Sequence, residues 1–385
     1  ILGLENGRTY DSSSKHLNYR HVVILSDQDP DGSHIRGLIV NFLHSMFPTL
    51  LACFPDFIKC FATPLVRVEL GKEDVRNFFT ERDFRVWRQE REAASKTAGR
   101  AKYYKGLGAI SNTVAKVLFE DIDRHMVTLQ FTGEECARHL NMYFGDDPED
   151  RKQILTKFSE DDVFDFSGVK PISDLCKQDL GAYFMYKNKC VLPHVIDGFT
   201  TTRRKVLYTC FNTRFQASIK VYQLGGIVAQ KTAYHHGDQS LLATISKMAK
   251  EYPGTNNIAL LVPDGQFGSA MSHEAASARY ISTGPDPIAR HIFPEIDDSV
   301  LTYLEDDGVR IEPVYFVPLL PMILINGATG IGSGYMTEIP MHRPIDVLDL
   351  TLAYIEKEFD GNLGLMLPSI CPWYRGHTGD IMPCD

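Results

Sequence analysis

The sequence predicts an α/β protein made of several domains. Its 385 residues suggest two or three domains, because most domains contain roughly 100–200 residues. A continuously apolar segment over 21–26 leads directly into an apolar pattern with helical spacing, which is the start of an α/β unit. Helical patterns dominate the later regions. We therefore predict four successive parts: an α/β domain over 1–120, a helical connector over 121–185, a winged-helix domain over 186–318 and the start of a further domain over 319–385.

The first two elements are a strand and a helix joined by an acidic loop. The strand His-Val-Val-Ile-Leu-Ser over 21–26 is typical of a buried parallel strand, because its centre is apolar without interruption. Ser33 is the predicted N-cap of the helix, and Pro48 ends it. One face of this helix carries the apolar residues that we expect to be buried: Ile35, Leu38, Ile39, Phe42, Leu43 and Met46.

The rest of the first half reads as strands followed by helices. Two strands are predicted within 53–70, with Pro64 between them, and a charged, helix-prone stretch covers 81–101. Glycines punctuate a loop over 103–108. The acidic segment 111–185 shows helical spacing and few strand signals, so we interpret it as a connector.

The second half begins with a helix-turn-helix pattern. Its predicted elements are a helix over 206–211 behind a basic start, an amphipathic segment over 221–230, a turn over 234–237, a helix over 240–250 with Leu241, Ile245 and Met248 on one face, and a strand over 257–262. This order suggests a winged helix. Further on, an apolar run over 319–325 precedes Gly327, Gly330, Gly332 and Gly334, which predict a flexible loop.

Composition bounds the classes of function. The net charge of −9 argues against general nucleic-acid binding, but binding depends on local patches such as Arg203-Arg204-Lys205. The eight cysteines form no C-x-x-C pair, which makes a zinc ribbon improbable and favours reduced thiols. No signal peptide begins the sequence, and no apolar run reaches the roughly 20 residues of a membrane span. We expect a soluble intracellular protein.

The acidic loop Asp27-Gln28-Asp29-Pro30-Asp31-Gly32 is the sharpest chemical signal. In an extended backbone Asp27 and Asp29 point the same way, and convergent carboxylates suit Mg²⁺. The loop also matches the start of an EF-hand, but the twelfth position counted from Asp27 is Leu38, where that site needs a glutamate. A solvated acidic turn is the remaining alternative.

Tyr280 is a candidate nucleophile because of its neighbours. A tyrosine of ordinary pKa, near 10, needs help to lose its proton, and cations must hold the charge that develops on a phosphate. Arg279 is adjacent and its planar fork suits phosphate. A histidine at 235–236 could relay the proton. Taken alone, however, a tyrosine is more often a packing residue.

Several segments, in this order, resemble motifs of the eukaryotic-type (type IIA) DNA topoisomerase II family. The acidic loop with Ser26 and His34 resembles the family's TOPRIM acidic motif. The others cover nearly the whole chain: Lys102-Tyr103-Tyr104-Lys105-Gly106-Leu107-Gly108, Asp197-Gly198 with Arg204-Lys205-Val206-Leu207, Tyr234-His235-His236-Gly237 with Gln239-Ser240-Leu241, Ala278-Arg279-Tyr280-Ile281, Asn326-Gly327-Ala328 with Gly330-Ile331-Gly332, and Pro372-Trp373-Tyr374-Arg375-Gly376.

The resemblance implies a DNA-cleaving core. The four predicted parts would be the C-terminal part of a TOPRIM domain, a connector, a winged-helix DNA-cleavage domain and the start of a tower domain. Tyr280 would form a 5′-phosphotyrosyl link, and Ile331 would wedge between base pairs. The remaining implied residues are Arg279, His236 and Arg204 at the scissile phosphate, Asp27, Asp29 and Asp31 on Mg²⁺, and Lys105, Gly106, Tyr234, Ser240, Arg203 and Lys205 on DNA.

The implied activity is ATP- and Mg²⁺-dependent passage of one DNA duplex through another by a homodimer, with relaxation and decatenation as results. ATP would bind to a domain outside this sequence. One glutamate ligand of the metal site would also lie outside it. Thr200-Thr201-Thr202 replaces the family's Lys-Pro-Gly, which removes a cation. Such departures suggest an outlying branch, such as the enzymes of large DNA viruses, African swine fever virus among them. The compartment would be the nucleus for a cellular enzyme, and the host cytoplasm or virion for a viral one.

Two other functions stay open. A TOPRIM metal-dependent nuclease would cut DNA with its acidic residues alone and leave free ends. A winged-helix protein that only binds DNA would be unaffected by Tyr280→Phe or Asp27→Ala.

Overall fold

A computed structural model describes residues 1–13, 15–71, 74–97, 99–104, 106–159, 163–215, 217–306, 309–360 and 369–382. The chain divides into two compact units, Ile1–Lys187 and Asn188–Asp385, each with its own apolar core. Both contain helices and strands, so the predicted mixed α/β class is confirmed. No helix in the described ranges is long and apolar enough to cross a membrane.

Unit 1 contains two sheets. Its strands are β1 (Val22–Ile24), β2 (Ile58–Phe61), β3 (Val66–Glu69), β4 (Val75–Phe78), β5 (Arg100–Tyr103), β6 (Met126–Gln130) and β7 (Val169–Pro171). Its helices are α1 (Pro30–Met46), α2 (Pro48–Cys53), α3 (Glu81–Ala93), α4 (Asn112–Glu120), α5 (Ile122–His125), α6 (Glu134–Phe144), α7 (Pro148–Lys157), α8 (Ile172–Asp174) and α9 (Gly181–Val191), whose last four residues belong to unit 2. A 3₁₀ turn covers Leu107–Ala109, and a π-helical stretch, Leu175–Leu180, joins α8 to α9.

The larger sheet has the order β1-β2-β6-β7 and forms the core of unit 1. β1 pairs with β2 in parallel, as expected for the first strand, but it lies at the edge of the sheet. Val23 and Leu25 are therefore 46% and 47% exposed, and the prediction of a fully buried strand was wrong. β6 and β7 lie within 111–185, a segment that was predicted to be helical because it showed few strand signals. Their pairing partners are distant in sequence, which local spacing does not reveal.

The smaller sheet, β4-β3-β5, is antiparallel and packs with α3 around Phe84 and Trp87. α3 starts at the predicted residue but ends at Ala93, and Arg100–Tyr103 forms strand β5 instead of more helix. The ladder between β5 and β3, with Val66 opposite Tyr103, explains this difference. The two strands predicted within 53–70 are confirmed as β2 and β3.

Helix α1 turns a different face inward than its apolar spacing predicts. The buried residues are Gly32, Ser33, Arg36, Gly37, Val40 and Leu43. By contrast, Ile35, Leu38 and Phe42 are 45% to 53% exposed. Two contacts select this face: Arg36 forms a buried ion pair with Asp179, and a Cβ at Gly37 would lie 2.4 Å from Leu180. The N-cap is Asp29, whose side chain accepts the Gly32 N–H, and not Ser33 as predicted.

Unit 2 is built around three helices. Its helices are α10 (Thr201–Phe211), α11 (Val221–Lys231), α12 (Asp238–Ala249), α13 (Pro287–Ile292), α14 (Met322–Ile325) and α15 (Pro344–Asp360). Its strands are β8 (Ile219–Lys220), β9 (Ser282–Thr283), β10 (Tyr303–Asp306), β11 (Val309–Pro313), β12 (Ala328–Ile331) and β13 (Met336–Ile339), and Glu295–Ser299 is a 3₁₀ helix.

The first three helices confirm the predicted helical pattern of the second half. Leu241, Ile245 and Met248 of α12 are at most 5% exposed, so the predicted apolar face is buried. The strand predicted over 257–262 is wrong, because this segment contains only the isolated bridge of Leu261 to Pro285. The short ladder of this region instead joins β8 to β9, and a winged helix stays a prediction.

The glycine-rich segment after α14 is ordered and not a flexible loop. β12 and β13 form an antiparallel hairpin in which Ile331 lies opposite Met336. Gly327 and Gly334 adopt positive φ values of 63° and 76°, which only glycine adopts without strain. The hairpin therefore uses its glycines for geometry.

Candidate active site

In unit 1 the acidic loop is folded against the glycine loop that follows β5. Leu107 donates its N–H to Asp27 Oδ1 at 2.6 Å, and a Cβ at Gly106 would lie 3.3 Å from Asp27 Oδ2. Asp29 Oδ1 accepts the Gly32 N–H at 2.7 Å. A Cβ at Gly32 would lie 1.9 Å from the carbonyl oxygen of Asp27, so this position requires glycine. The structure thus brings together Asp27, Asp29 and Gly106, while Lys105 lies outside the described residues.

The buried ion pair of Arg36 with Asp179 packs against the acidic loop. The Arg36 guanidinium donates to Asp179 and to the Ser26 hydroxyl at 3.0 Å, and it also donates to the Asp27 carbonyl oxygen at 3.3 Å. Ser33 donates its hydroxyl to Asp179 Oδ1 at 2.7 Å. Because these groups are shielded from water, the pair fixes the backbone from which Asp27 and Asp29 project.

The acidic loop offers a partial metal site. Asp27 and Asp29 each engage one carboxylate oxygen with a backbone N–H, and Asp31 lies in the first turn of α1. Within the described ranges, no three His, Cys, Asp or Glu side chains converge closely enough to hold a metal ion. Mg²⁺ is commonly held by one or two carboxylates with phosphate oxygens and water. The loop therefore fits Mg²⁺ only if further ligands join these carboxylates.

In unit 2 Tyr280 projects into solvent from a rigid turn. Its side chain is 71% exposed, although the next residue, Ile281, is 2% exposed. Tyr280 N–H donates to Ser277 O at 2.8 Å, and Lys220 Nζ donates to Tyr280 O at 3.0 Å. Tyr222 N–H holds Ala278 O at 3.1 Å. The hydroxyl of Tyr280 is thus accessible while its backbone is fixed on both sides.

Arg279 and Lys220 place positive charge at this turn. Arg279 is exposed and directly precedes Tyr280. Lys220 was not selected from the sequence, since a lysine sixty residues away carries no signal of its contact with Tyr280. Its position at the start of α11, beside the β8–β9 ladder, brings it to the turn.

The turn before α12 carries the two histidines. Tyr234 is buried, and its ring lies edge to face against His236 at 5.5 Å. Burial raises the pKa of Tyr234, while hydrogen bonds with Ser240 and Thr202 oppose the rise. His235 Nε2 lies 3.3 Å from Asp306. Ala233 has a φ of 47°, a strained value for a residue with a Cβ, so this turn is held in an unusual conformation.

Arg204 and Lys205 are buried, and each forms an ion pair with a different carboxylate. These pairs bear on the DNA contacts that were predicted for the two residues. Arg204 forms a fork with Asp197, at 2.8 Å from Nε and 3.0 Å from the second nitrogen. Lys205 Nζ contacts Glu312 at 2.8 Å and donates to Thr232 O at 2.6 Å. Because both charges are engaged inside the protein, the predicted contacts with a scissile phosphate and with DNA do not follow from this geometry. Arg204 instead holds the segment at Asp197 and Phe199, and Lys205 holds the end of α11 at Thr232.

Arg203 differs from its two neighbours. It is half-buried and lines a cleft of about 890 Å³ together with Lys247 and Lys250 of unit 2. Burial lowers the pKa of Arg203. Within the described ranges it forms no ion pair, and it lines this cleft. Of the basic cluster at 203–205, only this residue suits the predicted role of contacting DNA.

Ile331 is displayed near the tip of the β12–β13 hairpin and is 75% exposed. Because of this exposure, Ile331 is not a core residue in the described structure. Exposure is what an apolar wedge requires, whereas the wedge itself stays a prediction.

Comparisons with known proteins identify the family. The profile of a family described as the A subunit of DNA gyrase/topoisomerase IV matches residues 191–384, just over half of the chain. The chain belongs to the type IIA DNA topoisomerases. A second profile, the C-terminal associated domain of TOPRIM, matches residues 61–188 of this topoisomerase chain.

The relatives of this topoisomerase chain are of the eukaryotic type. It is 39% identical over its whole length to mitochondrial DNA topoisomerase 2 of Dictyostelium discoideum, covering 30% of that protein. It is 38% identical over 99% of its length to DNA topoisomerase 2 of Saccharomyces cerevisiae, covering 26%. A crystal structure of the Plasmodium falciparum topoisomerase II DNA-binding, cleavage and re-ligation domain matches with a TM-score of 0.84 and 37% identity over 99% of this chain and 51% of that one. The chain thus spans less than a third of the length of these curated relatives.

Proposed function

We propose that this chain carries the DNA-cleavage centre of a type II topoisomerase and that Tyr280 is its nucleophile. The Tyr280 hydroxyl oxygen attacks a backbone phosphorus, and the bond from phosphorus to the 3′ oxygen breaks. The products are a 5′-phosphotyrosyl link and a free 3′ hydroxyl, which takes up a proton as the tyrosine loses one. The reverse attack by the 3′ hydroxyl reseals the strand.

The observation that carries this proposal is the exposure of Tyr280 on a fixed turn. A phenol that is 71% exposed can reach a phosphate on a duplex, while the hydrogen bonds from Tyr280 N–H and from Lys220 restrict its backbone. Such restriction lowers the entropic cost of reaching the reactive geometry. Arg279 would stabilise the charge on the phosphate in the transition state. His236 would lie next to the scissile phosphate.

Asp27 and Asp29 would hold Mg²⁺ together with phosphate oxygens and water, and Asp31 stays a predicted third ligand. When bound, the ion neutralises negative charge on phosphate oxygens. The chain's own contribution is to fix the two carboxylates, since Asp27 is anchored by Leu107 N–H and Asp29 by Gly32 N–H. Gly106 would lie beside this site and allow DNA to approach, and Ser240 at the start of α12 would contact the backbone. Lys105 and Tyr234 complete the predicted contacts.

The activity of the whole protein would be ATP-dependent strand passage by a homodimer in which each chain cuts one strand. ATP would be bound by another domain of the full-length protein. The family membership supports this proposal, as does the fact that this chain spans only 30% of its Dictyostelium relative.

The test is a cleavage assay with the full-length protein, Mg²⁺ and a duplex labelled at the 5′ or 3′ end, stopped with detergent. We expect protein covalently attached to 5′ ends, loss of this adduct in Tyr280→Phe, and its retention in Tyr222→Phe. Tyr222 is a matched control because it is 65% exposed on neighbouring α11.

Two outcomes would contradict the proposal. Free ends in wild type and in Tyr280→Phe would favour the metal-dependent nuclease. An adduct that persists in Tyr280→Phe would assign the nucleophile to another residue.

A further inference from the structure

The β12–β13 hairpin displays two large apolar side chains side by side. Ile331 and Met336 are cross-strand partners, so their side chains emerge on the same face of the hairpin. They are 75% and 67% exposed. Partners in this arrangement have Cβ atoms about 5 Å apart and form one continuous edge. The tip therefore presents a two-residue apolar edge to solvent.

The hairpin is held firmly by contacts on its other side. A Cβ at Gly330 would lie 2.6 Å from Val191 O, and a Cβ at Gly332 would lie 2.5 Å from Asn188 Oδ1. Asn188 donates to Ser333 O at 3.0 Å and accepts the Ser333 N–H at 2.7 Å. These contacts leave the tip no freedom to fold its apolar edge back onto unit 2. The pair stays exposed until something covers it.

The base of the same hairpin lines a cationic cleft. Thr329 and Glu338 of the hairpin share the cleft of about 890 Å³ with Arg203, Lys247 and Lys250. Lys250 Nζ donates to Tyr252 Oη at 3.1 Å and to His273 O at 2.5 Å, so it is held by neutral groups. Glu338 is the one carboxylate among the residues that line the described cleft. The surface next to the apolar tip thus carries net positive charge.

We propose that Met336 acts with Ile331 as a two-residue wedge that enters one base step of duplex DNA, while the cationic cleft receives the backbone beside it. This inference rests on the proposed function and adds Met336, Lys247 and Lys250 to the DNA-binding surface. Apolar side chains inserted into a base step unstack it and bend the duplex. Duplex DNA, with its anionic backbone and its apolar base stack, complements both the charged cleft and the apolar edge.

Two residues do what one alone cannot. A single side chain fills part of the gap between two base pairs, whereas two adjacent side chains with Cβ atoms about 5 Å apart fill more of it. The bend should therefore depend on Met336 as well as on Ile331. The salt dependence of binding should depend on the cleft cations, because each phosphate contact that is lost lowers the slope of log K against log [salt] by about 0.9.

The experiment measures bending of a doubly labelled duplex by energy transfer, with the full-length dimer. The variants are Met336→Thr, Ile331→Thr, the double variant and the control Met382→Thr, a methionine that is 78% exposed outside the hairpin. Threonine is compatible with a strand, so the hairpin should be retained. Thermal unfolding of each variant checks that it is folded.

We expect Met336→Thr and Ile331→Thr each to weaken binding of bent duplex by about tenfold, as the loss of one buried apolar side chain predicts. If the two side chains act as one wedge, the double variant should lose less than the roughly hundredfold that two independent tenfold losses would give, and the salt slope should stay unchanged. Met382→Thr should behave as wild type.

Normal bending by Met336→Thr together with impaired bending by Ile331→Thr would overturn the inference. The inference would also fail if Met336→Thr reduced association between copies of the protein and left bending intact. If wild type does not bind or bend duplex DNA, the proposed function fails first, and that result is distinct from either of these.

Discussion

Replacing Asp197 by alanine should destabilise unit 2 through loss of a single buried carboxylate. Asp197 is 0% exposed and accepts four hydrogen bonds: two from the Arg204 guanidinium and one each from the N–H groups of Phe199 and Phe316. The alanine variant would leave the Arg204 charge buried without its partner. It would also free the loop before α10 from the segment at Phe316.

The expected loss is large because the pair is shielded from water. Removing one partner of a buried ion pair typically costs about 3–5 kcal/mol. For a unit of this size, about 2–4 °C of melting temperature correspond to each kcal/mol, so Tm should fall by roughly 6–20 °C. Asp298→Ala is the matched control. It breaks the pair of Arg290 with Asp298, whose side chains are 30% and 29% exposed, and should cost about 0–1 kcal/mol.

The two tryptophans make the assay specific to one unit. Trp87 lies in unit 1 and Trp373 in unit 2, where Asn257 Nδ2 donates to the Trp373 carbonyl oxygen at 3.0 Å. In a Trp87→Phe background, urea unfolding followed by fluorescence therefore reports on unit 2 alone. The reciprocal Trp373→Phe background should show no change on Asp197→Ala.

A small effect would refute this reasoning. If Asp197→Ala shifts the unfolding free energy by no more than Asp298→Ala does, Arg204 is not confined to its pair with Asp197. That result would leave Arg204 free to make its predicted contact with a scissile phosphate.

Two further predictions concern a close approach and a buried imidazole. Gly330→Ala should destabilise unit 2 by about 1–3 kcal/mol, because its Cβ would lie 2.6 Å from Val191 O. Gly226→Ala in α11 is the control, since a Cβ there meets nothing within 4 Å, and it should be neutral or stabilising. If both variants change the unfolding free energy equally in the same Trp373 assay, the close contact at Gly330 is contradicted. Burial lowers the pKa of His44 below its usual 6.5, so the unfolded chain binds more protons and unit 1 should lose stability as pH falls below that value. His44→Phe, but not the exposed His16→Gln, should flatten this dependence in urea titrations of Trp87 fluorescence between about pH 7.5 and 5; an unchanged slope would refute it.

Local signals predicted the elements that depend on local spacing. Pro64 separated the strands predicted within 53–70, which are β2 and β3, and helical spacing predicted α10, α11 and α12 as well as the buried face of α12. The failures share one cause. The buried face of α1 was chosen by Arg36 and Asp179, which are separated by 143 residues, and β6 and β7 were chosen by strands far away in the sequence. Such pairings leave no local periodicity.

The candidate site divides along the same line. Sequence motifs identified Tyr280 and the acidic loop, because the residues that define their chemistry are adjacent in the sequence. Lys220, in contrast, reaches the Tyr280 carbonyl only through the fold, and the apolar partner of Ile331 is visible only once the hairpin register pairs it with Met336. The sequence can therefore identify the reactive group, while the groups that position it require the structure.

The buried ion pairs also change how the charge of this chain is to be counted. Arg36, Arg204 and Lys205 are matched inside the protein by Asp179, Asp197 and Glu312. These pairs cancel in the net charge of −9, so the negative excess lies nearer the surface. DNA must then be attracted by a few local cations against an unfavourable overall field. Arg279 and the cleft cations Arg203, Lys247 and Lys250 are the groups of unit 2 suited to that task. Binding to DNA should accordingly depend on these patches far more than the sequence count of basic residues suggests.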